Sequence, residues 1–294
     1  MQRATRIPIA GVHSPVYHVS DTSSTLDLAV TLLADTTTAT PHLTTIIADH
    51  QSAGRGRLGR TWTTPDGQAL LASTIVSLPT SFPTEMLGWL VHACALSVRD
   101  ALSPRLSPLG HTVSLKWPND VLVDGARKIC GILAQLAPAS SPFTTSAILG
   151  YGINIAQDSD HLATPQATSL YAEGDTEAGA NPTSVSHTLL AQILTGLDSR
   201  IRGLITHGNA RDCGLADEAA NALPLLGTRI ALAKPTDPNG HPAMEGVALG
   251  LSPTGSLLVA TDDGRTHDIN AGDVLATGIP LTTVHDTKEK RANN

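Results

Sequence analysis

After Pro224 the hydrophobic pattern of the chain changes, and this break limits the folds open to it. Upstream, short apolar runs at 15–19, 44–49, 68–78, 112–117, 120–123, 128–137 and 144–156 read as strands. Between them lie 20–35, 84–102, 184–205 and 209–223, whose apolar residues recur at helical spacing. Ser24 followed by Asp27 resembles a capping box for the first of these helices. Asp124-Gly125 is a hairpin signal joining the strands at 120–123 and 128–137. Residues 157–182, rich in Ala, Thr, Gly, Pro and Asp, read as a long loop. Downstream, "LGTRIALAKP" and "MEGVALGLSPTGSLLVATDDGRTHDINAGDVLAT" give short alternating strands broken by Gly, Asp and Pro, the pattern of a small all-β module. The expectation is an α+β chain: a mixed domain over 1–224, a β module over 225–280, and a polar tail without fixed structure over 281–294.

The core of such a chain must be aliphatic, because aromatics are only 3% of residues while hydrophobics are 41%. No apolar run reaches the ~18 residues of a membrane span. The N-terminus lacks the apolar region of a signal peptide. Cys94, Cys130 and Cys213 are too widely spaced for a disulfide framework or a metal pair. A cytoplasmic protein without membrane contact is expected. Nineteen Lys plus Arg against 26 Asp plus Glu give a net charge of −7, which argues against a general nucleic-acid binder.

Against that acidic balance, "AGRGRLGRTW" (53–62) concentrates Arg55, Arg57 and Arg60 among Gly54, Gly56 and Gly59. Glycines let a backbone approach a ligand closely, and successive N–H groups in such loops form anion nests. Arginines add planar, permanent donors for phosphate or carboxylate. The segment is neither the Walker loop nor, lacking a following helix, the dinucleotide fingerprint. Three further segments carry polar groups at strand ends. "KWPND" (116–120) offers Lys116, Asn119 and Asp120 around the turn at Pro118. "RKICGIL" (127–133) offers Lys128, with Gly131 as a point of close approach. "GYGIN" (150–154) offers Gly150, Gly152 and Asn154. Taken singly, each segment is a weak signal: a solvated turn explains the Arg-Gly segment as well, a solvated strand residue explains Lys116 better, and Asn119 could merely stabilise the turn at Pro118.

In this order, "GRGRLGRTW", "KWPND", "KICGIL" and "GYGIN" resemble the signatures of biotin–protein ligases, over roughly residues 16–278. The resemblance implies a class II synthetase-like fold: a mixed β-sheet catalytic domain flanked by helices, with a C-terminal SH3-like β-barrel. It implies two steps: biotin and ATP give biotinyl-5′-adenylate and pyrophosphate, and a lysine of a biotin carboxyl carrier domain then takes the biotinyl group. No enzyme nucleophile is needed, and the sequence has no nucleophile-elbow motif. Mg²⁺ is expected to accompany ATP, and no protein-held metal is implied.

Carried over by position, Ser24, Thr25 and Gln51 contact the ureido ring, with Leu26 where the family usually has Asn. Gly54, Arg55, Gly56 and Arg57 surround the biotinyl carboxylate and phosphates. Arg60 and Trp62 join Lys116, Asn119, Gly152 and Asn154 on the nucleotide side. Lys128, with Gly131 and Gly150 nearby, faces the reacting carboxylate. Arg57, Lys128 and Asp120 are the expected catalytic residues. The loop is expected to be a lid over 53–64, with 157–170 as a second mobile stretch. Gly56 is its expected point of closest approach, should its φ be positive.

Two alternatives stand beside this reading. A lipoate or octanoate ligase of the same fold would use an Arg-Gly-Gly-Gly motif, which is absent. An RNA binder would need more basic residues and exposed aromatics around the loop. About twenty residues precede the first catalytic strand, too few for a helix-turn-helix domain, so no DNA role is expected. A monomer or weak homodimer is expected.

Overall fold

The structure, a computed structural model, describes residues 4–35, 37–141, 144–233 and 242–279. The polar tail expected over 281–294 lies outside the described residues. Eight strands form one sheet: β1 (Thr5–Ile7), β2 (Val16–Thr22), β3 (Thr45–Gln51), β4 (Ala69–Pro79), β5 (Val113–Lys116), β6 (Asp120–Val123), β7 (Arg127–Ser141) and β8 (Thr144–Asn154). Their order is β1-β2-β3-β4-β8-β7-β6-β5. Strands β2 and β3 run parallel, and the other neighbours are antiparallel. A parallel pair needs a crossover, here supplied by α1 (Thr25–Ala34).

The strands carry apolar residues on both faces because both faces are covered. Ile46, Ile75 and Ile148 point to one side, where they meet Leu26, Ala29 and Leu32 of α1. Their neighbours Ile47, Val76 and Leu149 point to the other side and join a larger cluster. That cluster is filled by α2 (Gly88–Leu106), α3 (Thr176–Ala180), α4 (Pro182–His207) and α5 (Leu215–Asn221). Within the described residues no helix is long and apolar enough to cross a membrane.

The all-β expectation after Pro224 is seen as β9 (Arg229–Ala233), β10 (Pro242–Leu251), β11 (Leu257–Ala260), β12 (Thr266–Ile269) and β13 (Asp273–Ile279). They form an antiparallel sheet of order β12-β11-β10-β9-β13, with no closing pair among the described residues. Two hydrogen bonds from α2 hold this sheet against the first domain. Trp89 Nε1 donates to Pro253 O at 2.8 Å, and His92 Nε2 donates to Gly255 O at 2.9 Å. Burial lowers the His92 pKa, so the ring stays neutral in this joint.

Some boundaries differ from the sequence expectation. The first helix starts at Thr25 rather than 20, because Asp21 and Thr22 pair with His50 and Gln51 of β3. Ser24 has the extended backbone of an N-cap, but its hydroxyl makes no capping bond, so the capping-box reading fails. The helix expected over 209–223 shortens to α5, since Gly214, at φ 79°, breaks the chain before Leu215. Within the expected loop 157–182, Asp158 caps a helical turn at Ser159–His161 and Asp175 caps α3.

Candidate functional site

The strand ends of the large sheet and the Arg-Gly loop enclose a cavity of about 450 Å³. All of the site residues named above border it except Gly54. Thr61, Ala72, Tyr151, Thr164, Ala167 and Asp273 border it as well and were not anticipated.

One corner is set by α1 and β3. The Thr25 backbone N–H and its Oγ1 donate to Gln51 Oε1 at 2.7 and 3.0 Å. Ser73 Oγ, buried on β4, donates to Thr25 Oγ1 at 2.8 Å and so directs the threonine proton toward Gln51. A backbone N–H can only donate, so the glutamine oxygen must face Thr25 and its Nε2 hydrogens are left for the cavity. The corner therefore suits a ligand oxygen. Leu26, which stands where the family usually has Asn, is buried in the α1 core and lies on Gly150. A Cβ at Gly150 would sit 2.9 Å from Leu26 Cγ, so that glycine makes room for Leu26.

A second wall comes from paired glycines. Gly131 and Gly152 face each other across β7 and β8. The Trp62 indole lies on them: a Cβ at Gly152 would be 2.5 Å from the ring, and one at Gly131 3.1 Å. Lys128 Nζ is 5.6 Å from the indole centroid, within cation–π range. Trp62 Nε1 is buried without a partner among the described residues, an available donor on this wall.

Three of the cavity's cationic groups are already paired with carboxylates. Lys128 Nζ is 2.6 Å from Asp120 Oδ1, an ion pair at an angle outside hydrogen-bonding geometry. Arg55 pairs with Asp27 and Arg60 with Asp273. Arg57 instead donates to neutral oxygens, Asn119 Oδ1 at 3.2 Å and Gly272 O at 3.5 Å. Burial pulls the Arg57 pKa below its usual value; Asp273 and Asp120 oppose this, and Arg60 adds to it. Asn119 Nδ2 donates to Ile132 O at 2.8 Å, which fixes its oxygen toward Arg57. Asn154 donates to Thr168 O at 2.9 Å and accepts from Gln157 at 3.1 Å, so it braces the 157–175 segment. Burial drives the Cys94 thiol up to about 12 and raises Cys130 well above its usual value, so neither offers a thiolate nucleophile.

The loop has an ordered base. Trp62 N–H bonds Gly54 O at 2.9 Å, Gly56 N–H bonds Arg60 O at 2.7 Å, and Arg55 bridges Thr61. Gly56 has φ −109°, so the positive φ considered for it is not found. The left-handed positions are Leu58 at φ 58° and Gly59 at φ 74°. The tightest glycine of the loop is Gly54, where a Cβ would lie 2.3 Å from Trp62 O. Gly54→Val should therefore shift the loop and weaken ligand binding at least about tenfold, as small misplacements at such sites do. Gly56→Val, whose Cβ would meet Arg60 O at 3.3 Å, should lose less. Equilibrium dialysis of both variants with biotin measures this, and an equal loss or none at Gly54 removes the role.

Two family models match the sequence: the biotin/lipoate A/B protein ligase family over residues 20–154, and the biotin protein ligase C terminal domain over 236–275. The chain is 34% identical over 230 residues to a biotin--[acetyl-CoA-carboxylase] ligase of Mycobacterium tuberculosis, covering 78% of this chain and 77% of that one. It is 30% identical to the bifunctional ligase/repressor BirA of Bacillus spizizenii, covering 76% of this chain but 63% of BirA. Its fold is similar to a biotin protein ligase from Aquifex aeolicus in complex with biotin and ATP. The TM-score is 0.61 at 25% identity, with coverage of 88% of this chain and 97% of the other.

Proposed function

Since the chain belongs to the biotin/lipoate A/B protein ligase family, we propose that its cavity joins biotin to an acceptor protein in two ATP-driven steps. It is an enzyme of the ligase class, and ATP-dependent biotinylation is its activity. In the first step a biotin carboxylate oxygen bonds to the α-phosphorus of ATP, and the bond to pyrophosphate breaks. In the second, an acceptor amine bonds to the acyl carbon and AMP leaves with the electron pair.

One observation carries the assignment of roles: a single cavity joins a donor corner at Gln51 to the cations Arg57 and Lys128. The Gln51 Nε2 and Ser24 hydroxyl would take the ureido oxygen, and Leu26 would pack the apolar ring. Arg57, Lys128 and Arg55 would bring carboxylate and phosphate together and stabilise charge gathering at phosphorus. Arg60 and Lys116 would serve the departing pyrophosphate, and the Trp62 face would border the nucleotide. Asp120, released from Lys128 when anions enter, would receive the acceptor amine.

The residues at hand do not form a cradle for a metal. The cavity carboxylates Asp120 and Asp273 are each paired with a cation, Lys128 and Arg60. Mg²⁺ is proposed only as the ion that travels with the phosphates of ATP. The acceptor proposed is a lysine of a biotin carboxyl carrier domain, in the cytoplasm, with the enzyme a monomer or weak dimer.

Mixing the protein with ATP and biotin, lipoate or octanoate, and following pyrophosphate, tests the reading. Release with biotin alone is expected; release with lipoate or octanoate but not biotin would sink it. The RNA-binding alternative gains no support, because the chain belongs to a ligase family.

A further inference from the structure

Beside the cavity, His111, Asp124 and Glu173 bring potential ligand atoms within 4.8 Å of one another. A cation does not suit the cluster, because Arg127 already occupies it. The guanidinium gives Nε and Nη2 to Glu173 at 2.6 and 2.8 Å, and Nη2 to Asp124 at 2.8 Å. His111 adds Nδ1 at 2.8 Å from Asp124 and Nε2 at 3.4 Å from Glu173. Glu173 is the buried member, with a side chain only 7% exposed. It also accepts Thr168 Oγ1 at 2.5 Å. Burial works to raise its pKa, but bonds from Arg127 and Thr168 outweigh this and leave it lowered, so Glu173 is held as the carboxylate.

The two groups that Glu173 grips stand on either side of one short backbone ladder. Arg127 immediately precedes Lys128. At this point the β6–β7 register slips: Val121 faces Cys130 and Leu122 faces Lys128, leaving Ile129 unmatched. Such bulges re-aim a side chain. The main-chain groups of Lys128 bond to the 157–175 segment. Its N–H donates to Gln166 O at 2.7 Å, and its C=O accepts from Thr168 N–H at 2.9 Å. Thr168 is thus tied to Lys128 by its backbone, to Asn154 by its carbonyl and to Glu173 by its hydroxyl. An exposed ion pair would add little to such a site, but a buried carboxylate with these partners fixes geometry.

We propose that Glu173 is a positioning residue for the ligase reaction. By holding Arg127 on the strand and Thr168 on the facing segment, it fixes the Lys128 backbone and hence where the ammonium meets the reacting anions. The inference rests on the role given to Lys128 above.

The test is a double-mutant cycle on single-turnover formation of biotinyl adenylate. Glu173→Gln keeps side-chain volume and removes the charge. It should slow adenylate formation about tenfold or more. The biotin dissociation constant should rise by less than the adenylate rate falls, because the ureido corner of Ser24, Thr25 and Gln51 lies on elements Glu173 does not touch and Lys128 meets only the carboxylate end. In a Lys128→Ala background, Glu173→Gln should slow the reaction less than about twofold further, since the group it positions is gone. Equal losses in both backgrounds, or an unslowed Glu173→Gln, overturn the inference. Should Glu173→Gln fold poorly, Thr168→Val, which removes one hydrogen bond, enters the same cycle. It must show a smaller loss with the same non-additivity. A wild-type protein that makes no adenylate from biotin and ATP would remove the ligase reading itself, a separate failure.

Discussion

Arg57→Ala is expected to lower pyrophosphate release by about 10²-fold or more, the loss seen when one preorganised donor to a developing charge is removed. That corresponds to ~2.7 kcal/mol of barrier. Arg57 differs from its two neighbours in how it is held. Arg55 and Asp27 are both well exposed, at 44% and 55%, so their pair contributes little. The Arg57 guanidinium is partly buried and its hydrogen bonds go only to the neutral oxygens of Asn119 and Gly272, with the Asp273 and Asp120 carboxylates near it but not paired to it. Arg55→Ala should therefore cost less than Arg57→Ala in the same assay. The thermal unfolding midpoint should barely move, because the bonds lost are two long ones to loop and turn. Near-normal pyrophosphate release from Arg57→Ala would remove its catalytic role.

Lys128→Arg is expected to impair adenylate formation at least about tenfold, and Lys128→Ala more severely. The charge survives the Arg change, so the expectation rests on space. The Lys128 ammonium and its ε carbon both lie 3.2 Å from where a Gly131 Cβ would stand, and the Trp62 ring faces it. A planar fork is wider than an ammonium and does not fit the same slot without moving Trp62. Rapid-quench measurement of adenylate in both variants decides the matter. A fully active Arg variant would make Lys128 a general cation rather than a placed donor.

Much of the large sheet was legible because both of its faces are buried, which leaves long apolar runs such as 68–78 and 144–156. The four polar segments were legible because Gly, Arg, Lys and Asn cluster at strand ends in an otherwise aliphatic chain. What escaped depends on partners distant in sequence. Asp21 and Thr22 read as the start of a helix, yet they pair with His50 and Gln51. Asp273 carries no local signal and meets Arg60 only because the C-terminal sheet docks there. Sequence marks the glycines of the loop but not which residue turns left-handed, and that residue includes Leu58. Ser73 and Glu173 lie outside the four polar segments, and only folding brings them to Thr25 and Arg127.

The pairing of Arg55 with Asp27, Arg60 with Asp273 and Lys128 with Asp120 has a consequence for ionic strength. At these three cations an entering anion exchanges places with carboxylates already in contact with them, whereas at Arg57 it meets a guanidinium bonded to neutral oxygens. Added salt weakens the contacts that are broken as well as those that are formed, so much of its effect cancels. The affinity of the cavity for its anionic ligands should thus fall with salt less steeply than that of an open basic surface.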